Sequence, residues 1–116
     1  MDSLELARKI ADIIVEKQGE DILILDLHGL TTITDYFVIC SAASHRQLDA
    51  IKNATLEGIK GEAEGTLPKS VEGNADSGWI LIDYIDVIVH LFDADIRAYY
   101  QLEDLWKAGR VVAHIQ

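Results

Sequence analysis

The run DVIVHLF at residues 86–92 restricts the fold more than any other part of the chain. In a β-strand, successive side chains point to opposite faces of the sheet. One face carries Val87, Val89 and Leu91, and the other carries Ile88, His90 and Phe92. A strand that is apolar on both faces needs cover on both sides of its sheet. The run therefore predicts a strand inside a layered α/β structure.

Two helices in the first half of the chain are marked by capping patterns. In each, a short polar residue is followed three positions later by Glu or Gln, and apolar residues then recur at helical spacing. Asp2 and Glu5 begin the first helix, which runs to Lys17 with Gly19 as its C′ residue; Ser44 and Gln47 begin the second, SHRQLDAIKNATLEGIKGEAEG. These two stretches predict amphipathic helices that pack on a sheet.

Short runs rich in branched and aromatic residues predict four strands. These runs are residues 21–27, residues 35–42, WILIDYI and DVIVHLF. The last two lie so close together that they predict an antiparallel hairpin. Residues 65–78 hold the only proline and several glycines, so they predict a surface loop. The tail RVVAHIQ is compatible with an added edge strand or with irregular packing.

A third helix is predicted to begin at Asp93 or Asp95 and to run to Lys107, before Gly109. The order α-β-β-α-β-β-α then predicts a mixed sheet of four to five strands, packed with about three helices in a single domain over residues 1–116. Two helices can cover one face of such a sheet, but three cannot cover both. We therefore expect part of one apolar face to remain open.

The balance of charge favours a basic partner. The chain carries 20 acidic and 10 basic side chains, and both halves are negative. Nucleic-acid binding depends on Lys and Arg side chains that neutralise phosphates, so the composition argues against direct, sequence-specific binding of nucleic acid. An acidic surface complements a positively charged protein instead.

Further features bear on the compartment. The start, MDSLELARKIADIIVEK, is too acidic for a transit peptide, and no segment reaches transmembrane length. The single cysteine, Cys40, lies in the apolar run YFVIC, so we expect it to be buried and unreactive. These features predict a cytoplasmic protein without membrane association.

Four carboxylates near the last two strands raise the question of a metal site. They are Asp83, Asp86, Asp93 and Asp95, and they could hold a divalent cation that orients a phosphate. Turns and helix caps explain the same residues without a metal. The segment SAASHRQ could receive an anion, but it lacks the glycine and lysine of a phosphate loop, and the histidines lack zinc-ligand spacing. We expect no catalytic residue, metal or cofactor, with a metal- or nucleotide-dependent, nucleotidyltransferase-like enzyme as the alternative.

The aromatic residues of the last third of the chain indicate a binding surface. Tyr99 and Tyr100 are about 100° apart around a helix axis, so both cannot face the same core. Trp79 and Trp106 bracket the segment, and Trp and Tyr are enriched where a protein anchors a partner. For Trp106, a place in the core is an equal interpretation.

Three stretches taken together are specific for one family. They are TDYFVICSAASHRQLDAI, then EG at residues 72–73, then GWILIDYIDVIVHLFDADIRAYYQLEDLW. In this order and spacing they resemble the Iojap family, called ribosomal silencing factor S (RsfS) in bacteria, from the first helix to Trp106. The resemblance implies a nucleotidyltransferase-like topology without that chemistry. It also implies docking on the large ribosomal subunit through ribosomal protein uL14, which blocks joining of the small subunit and lowers translation when nutrients are scarce.

The resemblance further suggests which residues bind the partner. The matching positions are Trp79, Leu81, Asp83, Asp86, His90, Tyr99, Tyr100, Glu103 and Trp106. Trp79, Leu81 and Asp83 share one strand face, so an apolar anchor beside a carboxylate is predicted to meet a basic protein surface. Ile85 stands where the family commonly has glycine, and because a branched side chain resists positive φ, we expect the hairpin turn to differ there. The open sheet face could also pair two copies of the chain as a homodimer.

Overall fold

The computed structural model describes residues 2–62, 66–100 and 109–116, with side chains described for all of these except 98–100. Its elements are α1 (Ser3–Glu16), β1 (Glu20–Asp26), β2 (Tyr36–Ala42), α2 (His45–Glu62), β3 (Ser70–Asn74), β4 (Trp79–Asp83), β5 (Val87–Asp93), α3 (Ala94–Tyr100) and β6 (Arg110–Ile115). A short 3₁₀ turn, Ala75–Ser77, joins β3 to β4. The mixed α/β class predicted from the sequence is confirmed.

The six described strands form one sheet in the order β3-β4-β5-β2-β1-β6. β2 and β5 are parallel, and every other neighbouring pair is antiparallel. Helix α2 lies in the crossover that makes the parallel pair possible. This topology places β5, the strand that is apolar on both faces, in the interior of the sheet between β4 and β2.

One face of the sheet is covered by α1 and α2, whose apolar side chains pack on alternate residues of the strands. Val87, Val89 and Leu91 of β5 point to this face and are fully buried. Cys40 of β2 belongs to the same core, as predicted. Burial raises the pKa of its thiol to about 12, so the reactive thiolate is scarce at neutral pH.

The opposite face carries a second, smaller core. Its buried members are Leu23, Leu25, Leu27, Phe37, Ile39 and Phe92, with Trp79, Ile88 and Ile96 packed against them. Cover on this face is complete over β1 and β2 but incomplete over β4, where Trp79, Leu81 and Asp83 are partly exposed. The opening expected in the sheet cover therefore lies along β4.

Arg97 anchors α3 to the sheet. Its guanidinium is 6% exposed and donates hydrogen bonds to the carbonyl oxygen of Asp21 at 2.6 Å and to Oγ of Ser41 at 3.0 Å. The Asp21 carboxylate also pairs with His114 of β6; that hydrogen bond, and then the charge of Arg97, hold the pKa of Asp21 below its ordinary value. Arg97 is the only Lys or Arg between residues 83 and 104 of the sequence, and its side chain is buried.

The number of strands is a correction, because four to five were predicted and the described residues form six. The predicted loop at 65–78 contains β3, an edge strand that pairs with β4. Four of its five residues are exposed, so no apolar alternation marks it. Its pairing is fixed by the turn, where Asn74 and Ser77 cap each other and Gly78 adopts a φ of 78°. The tail forms β6, the first of the two alternatives considered.

The end of α1 is a second correction. The helix begins as predicted, because the Asp2 side chain accepts a hydrogen bond from the N–H of Glu5 at 2.8 Å. At its end, however, the left-handed residue is Gln18, with a φ of 63°, and not Gly19. The N–H of Gly19 donates to the carbonyl oxygen of Ile14, as in a Schellman motif. Gly19 is required for space, since a Cβ there would lie 2.3 Å from Cγ2 of Ile14.

The predicted starts of the other two helices are confirmed. Oγ of Ser44 accepts a hydrogen bond from the N–H of Gln47 at 3.1 Å, and Oδ1 of Asp93 accepts one from the N–H of Ile96 at 2.9 Å. The predicted continuation of the third helix to Lys107 lies outside the described residues. None of the helices in the described ranges combines the length and apolar character needed to cross a bilayer.

Candidate docking surface

Strand β4 divides its side chains between two environments. Ile80 and Ile82 point to the helix-covered core and are fully buried. Trp79, Leu81 and Asp83 alternate with them and are partly exposed on the other side of the sheet. We call these last three residues the β4 face. A single strand therefore contributes to the core with one set of residues and to the surface with the other.

The strands on either side extend the β4 face. In an antiparallel sheet, directly opposed residues point to the same side. Opposite Trp79, Leu81 and Asp83 lie Asn74, Glu72 and Ser70 of β3 and Phe92, His90 and Ile88 of β5. The residues from β5 are apolar or buried, whereas those from β3 are polar and mostly exposed. The surface thus passes from a buried aromatic floor to an open edge that carries a carboxylate.

The indole ring of Trp79 packs directly against the rings of His90 and Phe92, and Phe37 in turn packs against His90. The indole Nε1–H donates to Nδ1 of His90 at 3.3 Å, with the two ring planes 14° apart. Phe92 stacks on Trp79 with a centroid distance of 5.9 Å, and Phe37 packs edge-on against His90 at 4.6 Å. These contacts fix the orientation of the indole, which lowers the entropy that a partner would have to overcome on binding.

His90 is buried and neutral. It is 4% exposed, and burial lowers its pKa to about 4. Because Nδ1 accepts the hydrogen bond from Trp79, the proton of the neutral ring resides on Nε2. That Nε2 is buried and has no hydrogen-bond partner among the residues that the structure describes. His90, which the resemblance places among the partner-binding residues, therefore lies in the layer that supports Trp79.

The turn after β4 depends on Asp83. Its Oδ1 accepts a hydrogen bond from the N–H of Ile85 at 2.7 Å. Ile85 has a φ of 75°, and the N–H of Asp86 donates to the carbonyl oxygen of Tyr84 at 2.9 Å, which is the pattern of a strained γ-turn. Ile85 thus adopts a left-handed conformation despite its branched side chain. The carbonyl oxygen of Asp86 accepts a hydrogen bond from the N–H of Asp35 and so joins this turn to the start of β2.

Four predicted site residues fall at or beyond the end of the described part of α3. The backbone of Tyr99 and Tyr100 forms the last residues of that helix, while their side chains lie outside what the structure describes. Glu103 and Trp106 also lie outside the described residues. Their place on the binding surface stays a prediction.

A groove of about 170 Å³ lies between β3 and β4 on the same side of the sheet. It is lined by Glu72, Gly73, Ser77, Trp79 and Leu81. We call it the β3–β4 groove. The first three of these residues come from the stretch that the sequence predicts as a loop, so hydrophobic periodicity did not place them beside Trp79. For Glu72 and Gly73 the signal in the sequence is the EG motif at residues 72–73, and no motif marks Ser77.

The carboxylates of the alternative, enzymatic hypothesis are not brought together. Asp83 and Asp86 lie at one end of the β4–β5 hairpin, whereas Asp93 lies at the far end of β5, which spans about 20 Å over seven residues. Asp93 instead caps α3 and lies 3.5 Å from Nε2 of His45. Within residues 2–62, 66–97 and 109–116, no group of three or more His, Cys, Asp or Glu side chains could hold a metal ion.

The segment SAASHRQ, considered above as an anion site, lines a hollow of about 330 Å³ at the start of α2. Three carboxylates, Glu20, Asp93 and Asp95, line the same hollow. Their negative charge opposes the favourable field of the helix N-terminus for a phosphate group. The hollow is therefore a poor site for a nucleotide.

Comparison with known proteins decides the family. The family model described as "Ribosomal silencing factor during starvation" matches residues 1–116. The chain belongs to the ribosomal silencing factor family. The resemblance to Iojap and RsfS proteins noted from the sequence is confirmed, and the family name denotes a regulator that silences ribosomes.

Curated relatives extend from bacteria to plant organelles. Ribosomal silencing factor RsfS of Bacillus subtilis (strain 168) is 43% identical over 93 residues, covering 78% of this chain and 75% of that protein. The RsfS of Halalkalibacterium halodurans is 38% identical over 106 residues, covering 91% and 89%. The chloroplastic protein Iojap of Arabidopsis thaliana is 32% identical over 106 residues, covering 90% of this chain but 43% of the plant protein.

Two crystal structures of related proteins have the same fold. A protein from Chromobacterium violaceum superposes with a TM-score of 0.86 at 29% identity, covering 92% of this chain and 88% of the other. A protein from Bacillus halodurans superposes with a TM-score of 0.81 at 34% identity, covering 95% and 98%. The overall fold is therefore shared with experimentally determined structures.

Proposed function

We propose that this silencing factor binds ribosomal protein uL14 on the large ribosomal subunit and sterically blocks joining of the small subunit. Translation would then fall when nutrients are limiting. The observation that carries the proposal is the β4 face, on which Trp79 and Leu81 offer apolar area beside the carboxylate of Asp83. An aromatic anchor at the centre of a patch with polar groups at its rim is the usual arrangement of a protein-binding site.

The charge of the chain supports a protein target within the ribosome. Its formal net charge is −10, so ribosomal RNA phosphates repel it. A basic ribosomal protein attracts it, and this attraction raises the rate of encounter and excludes acidic competitors. Repulsion from RNA and attraction to basic protein together favour binding to a positively charged protein surface over the surrounding RNA.

The proposed mechanism is occlusion and needs no chemical step. Asp83 would face the partner, and Asp86 lies in the turn beside it. We include Tyr99, Tyr100, Glu103 and Trp106 as binding residues because they match the family motif in the sequence. The factor works in the cytoplasm without a cofactor or metal. The assignment is supported by the family to which the chain belongs and by the separation of Asp83 from Asp93 across the sheet.

The test is the joining of purified ribosomal subunits, followed by sedimentation. With the factor in excess, we expect separate large and small subunits in place of joined ribosomes. Trp79→Ala should restore joining, while Glu57→Ala, on the exposed side of α2, should inhibit as the unmodified protein does. If joined ribosomes assemble equally well in the presence of excess unmodified protein, the proposed function is wrong.

A homodimer is a further part of the proposal, because the β4 face could be covered by a second copy of the chain. Docking on the ribosome and dimer formation would then compete for one surface. Light scattering over a dilution series measures the mass directly. A mass that stays at one chain at every concentration would remove the dimer and leave ribosome binding unaffected.

A further inference from the structure

The β3–β4 groove combines apolar walls with a carboxylate at its rim. Trp79 and Leu81 supply the walls, and Glu72 stands directly opposite Leu81 across the two strands. Gly73 allows the strands to approach closely, because a Cβ at this position would lie 2.1 Å from the carbonyl oxygen of Trp79. The groove is therefore a built feature of the β3–β4 pair, fixed by the register of its strands.

The charge of the groove selects its occupant. Among the residues that the structure describes, the lining contains one carboxylate, Glu72, and no Lys or Arg. Glu72 is exposed and makes no ion pair with any residue that the structure describes. Asp83 lies on the same side of β4, two residues beyond Leu81, and adds a second negative charge nearby. An anionic group is repelled here, and a purely apolar group would cover Glu72 without a partner for its charge.

We infer that the β3–β4 groove receives one long cationic side chain, arginine or lysine, from the basic partner protein. The methylene stem packs on Trp79 and Leu81, as such stems do on apolar surface, and the charged end reaches Glu72. The indole of Trp79 adds the attraction of an aromatic ring for a cation. This inference rests on the proposed function, since it assigns a contact within the same docking surface.

The experiment measures the binding of purified large subunits to four variants, one of which is Trp79→Ala, over a range of salt concentrations. Glu72→Lys should weaken binding by at least about tenfold, because it places like charges together in the groove. Glu72→Gln should weaken binding less and should flatten the dependence of affinity on salt. Glu57→Lys makes the same change of charge on the exposed side of α2 and controls for general attraction to ribosomal RNA.

The outcomes separate this inference from the proposed function. Weaker binding of Glu72→Lys than of Glu57→Lys, with equal unfolding midpoints in urea, supports a cation in the groove. Equal binding of the two lysine variants, together with loss of binding in Trp79→Ala, overturns the groove inference and leaves the proposed function intact. If the unmodified protein does not bind large subunits, the proposed function fails, and this inference fails with it.

Discussion

Strand β4 allows a comparison of two sheet faces within five residues. Ile80 and Ile82 lie under the helices and are fully buried, while Trp79 and Leu81, equally apolar, are partly exposed on the other side. The two sets have similar hydrophobicity, so composition does not explain the difference. What differs is the cover, because α1 and α2 both pack on the first face. The comparison shows that an apolar residue on β4 can contribute to stability or to binding, depending on the face of the sheet to which its side chain points.

The comparison predicts that the residues on the helix-covered face of β4 contribute more to stability than those on the β4 face. Ile80→Ala should lower the free energy of unfolding by about 2–5 kcal/mol, because it opens a cavity in a packed core. Leu81→Ala removes a similar side chain from a partly exposed site and should cost less than about 1.5 kcal/mol. Urea unfolding followed by circular dichroism measures both values. A cost for Leu81→Ala as large as that for Ile80→Ala would place Leu81 in the core.

On the face that carries Trp79, His90 belongs to a buried layer beneath the exposed surface. In the unfolded chain its pKa is about 6.5, and in the folded protein burial lowers the pKa to about 4. As the pH falls through 6.5, the unfolded state binds a proton that the folded state does not, so stability is full above pH 6.5 and declines toward pH 4. The shift corresponds to a loss of about 3 kcal/mol at pH 4.

His90→Gln isolates this contribution from that of the carboxylates. Glutamine keeps a hydrogen-bond acceptor for the indole N–H of Trp79 but does not titrate. Urea unfolding at pH 7, 5.5 and 4.5 should show a steeper decline for the unmodified protein than for the variant. Parallel declines would mean that His90 is accessible to protons in the folded state, and the second face would then lack a buried layer.

The surface side of the comparison predicts a loss of binding without a loss of fold. Trp79→Ala should weaken binding to purified large subunits by about 30-fold, which corresponds to about 2 kcal/mol for an aromatic anchor. Val71→Ala provides a control that also removes apolar area. Val71 lies on the exposed edge strand, and its side chain points to the opposite face of the sheet from that of Glu72. Equal binding of the two variants and the unmodified protein would show that the partner meets another surface.

How far the sequence predicts this molecule depends on the kind of signal each element carries. Helices α1 and α2 and strands β1, β2, β4 and β5 have apolar periodicity or capping pairs, and these elements are confirmed within a few residues. Strand β3 has neither, because it is an exposed edge held by backbone pairing and by the turn at Asn74 and Ser77. Gly19 had the expected residue type for a helix end, but the left-handed position went to Gln18.

The candidate site was predictable to a similar degree. Parity along β4 predicted that Trp79, Leu81 and Asp83 share a face, since this depends only on strand geometry. The burial of His90 depends on Phe37, which lies 53 residues earlier in the sequence, and no local pattern contains that contact. Glu72 lies beside Leu81 because of the register between β3 and β4, which the sequence does not reveal. The ribosomal role came from family resemblance and not from periodicity or composition.

Ile85 tests where the β4 face ends, and here the expected effects are the smallest. An isoleucine held at a φ of 75° is destabilised by about 1–2 kcal/mol relative to glycine in the folded state, while glycine adds about 0.5–1 kcal/mol of backbone entropy to the unfolded state. Ile85→Gly should therefore raise the free energy of unfolding by up to about 1.5 kcal/mol, as measured in urea. Its side chain is 58% exposed, so little core packing is lost.

If the docking surface ends at Asp83, the Ile85→Gly variant binds large subunits as the unmodified protein does. Weaker binding despite higher stability would instead extend the surface around the turn and explain why a strained isoleucine occupies this position.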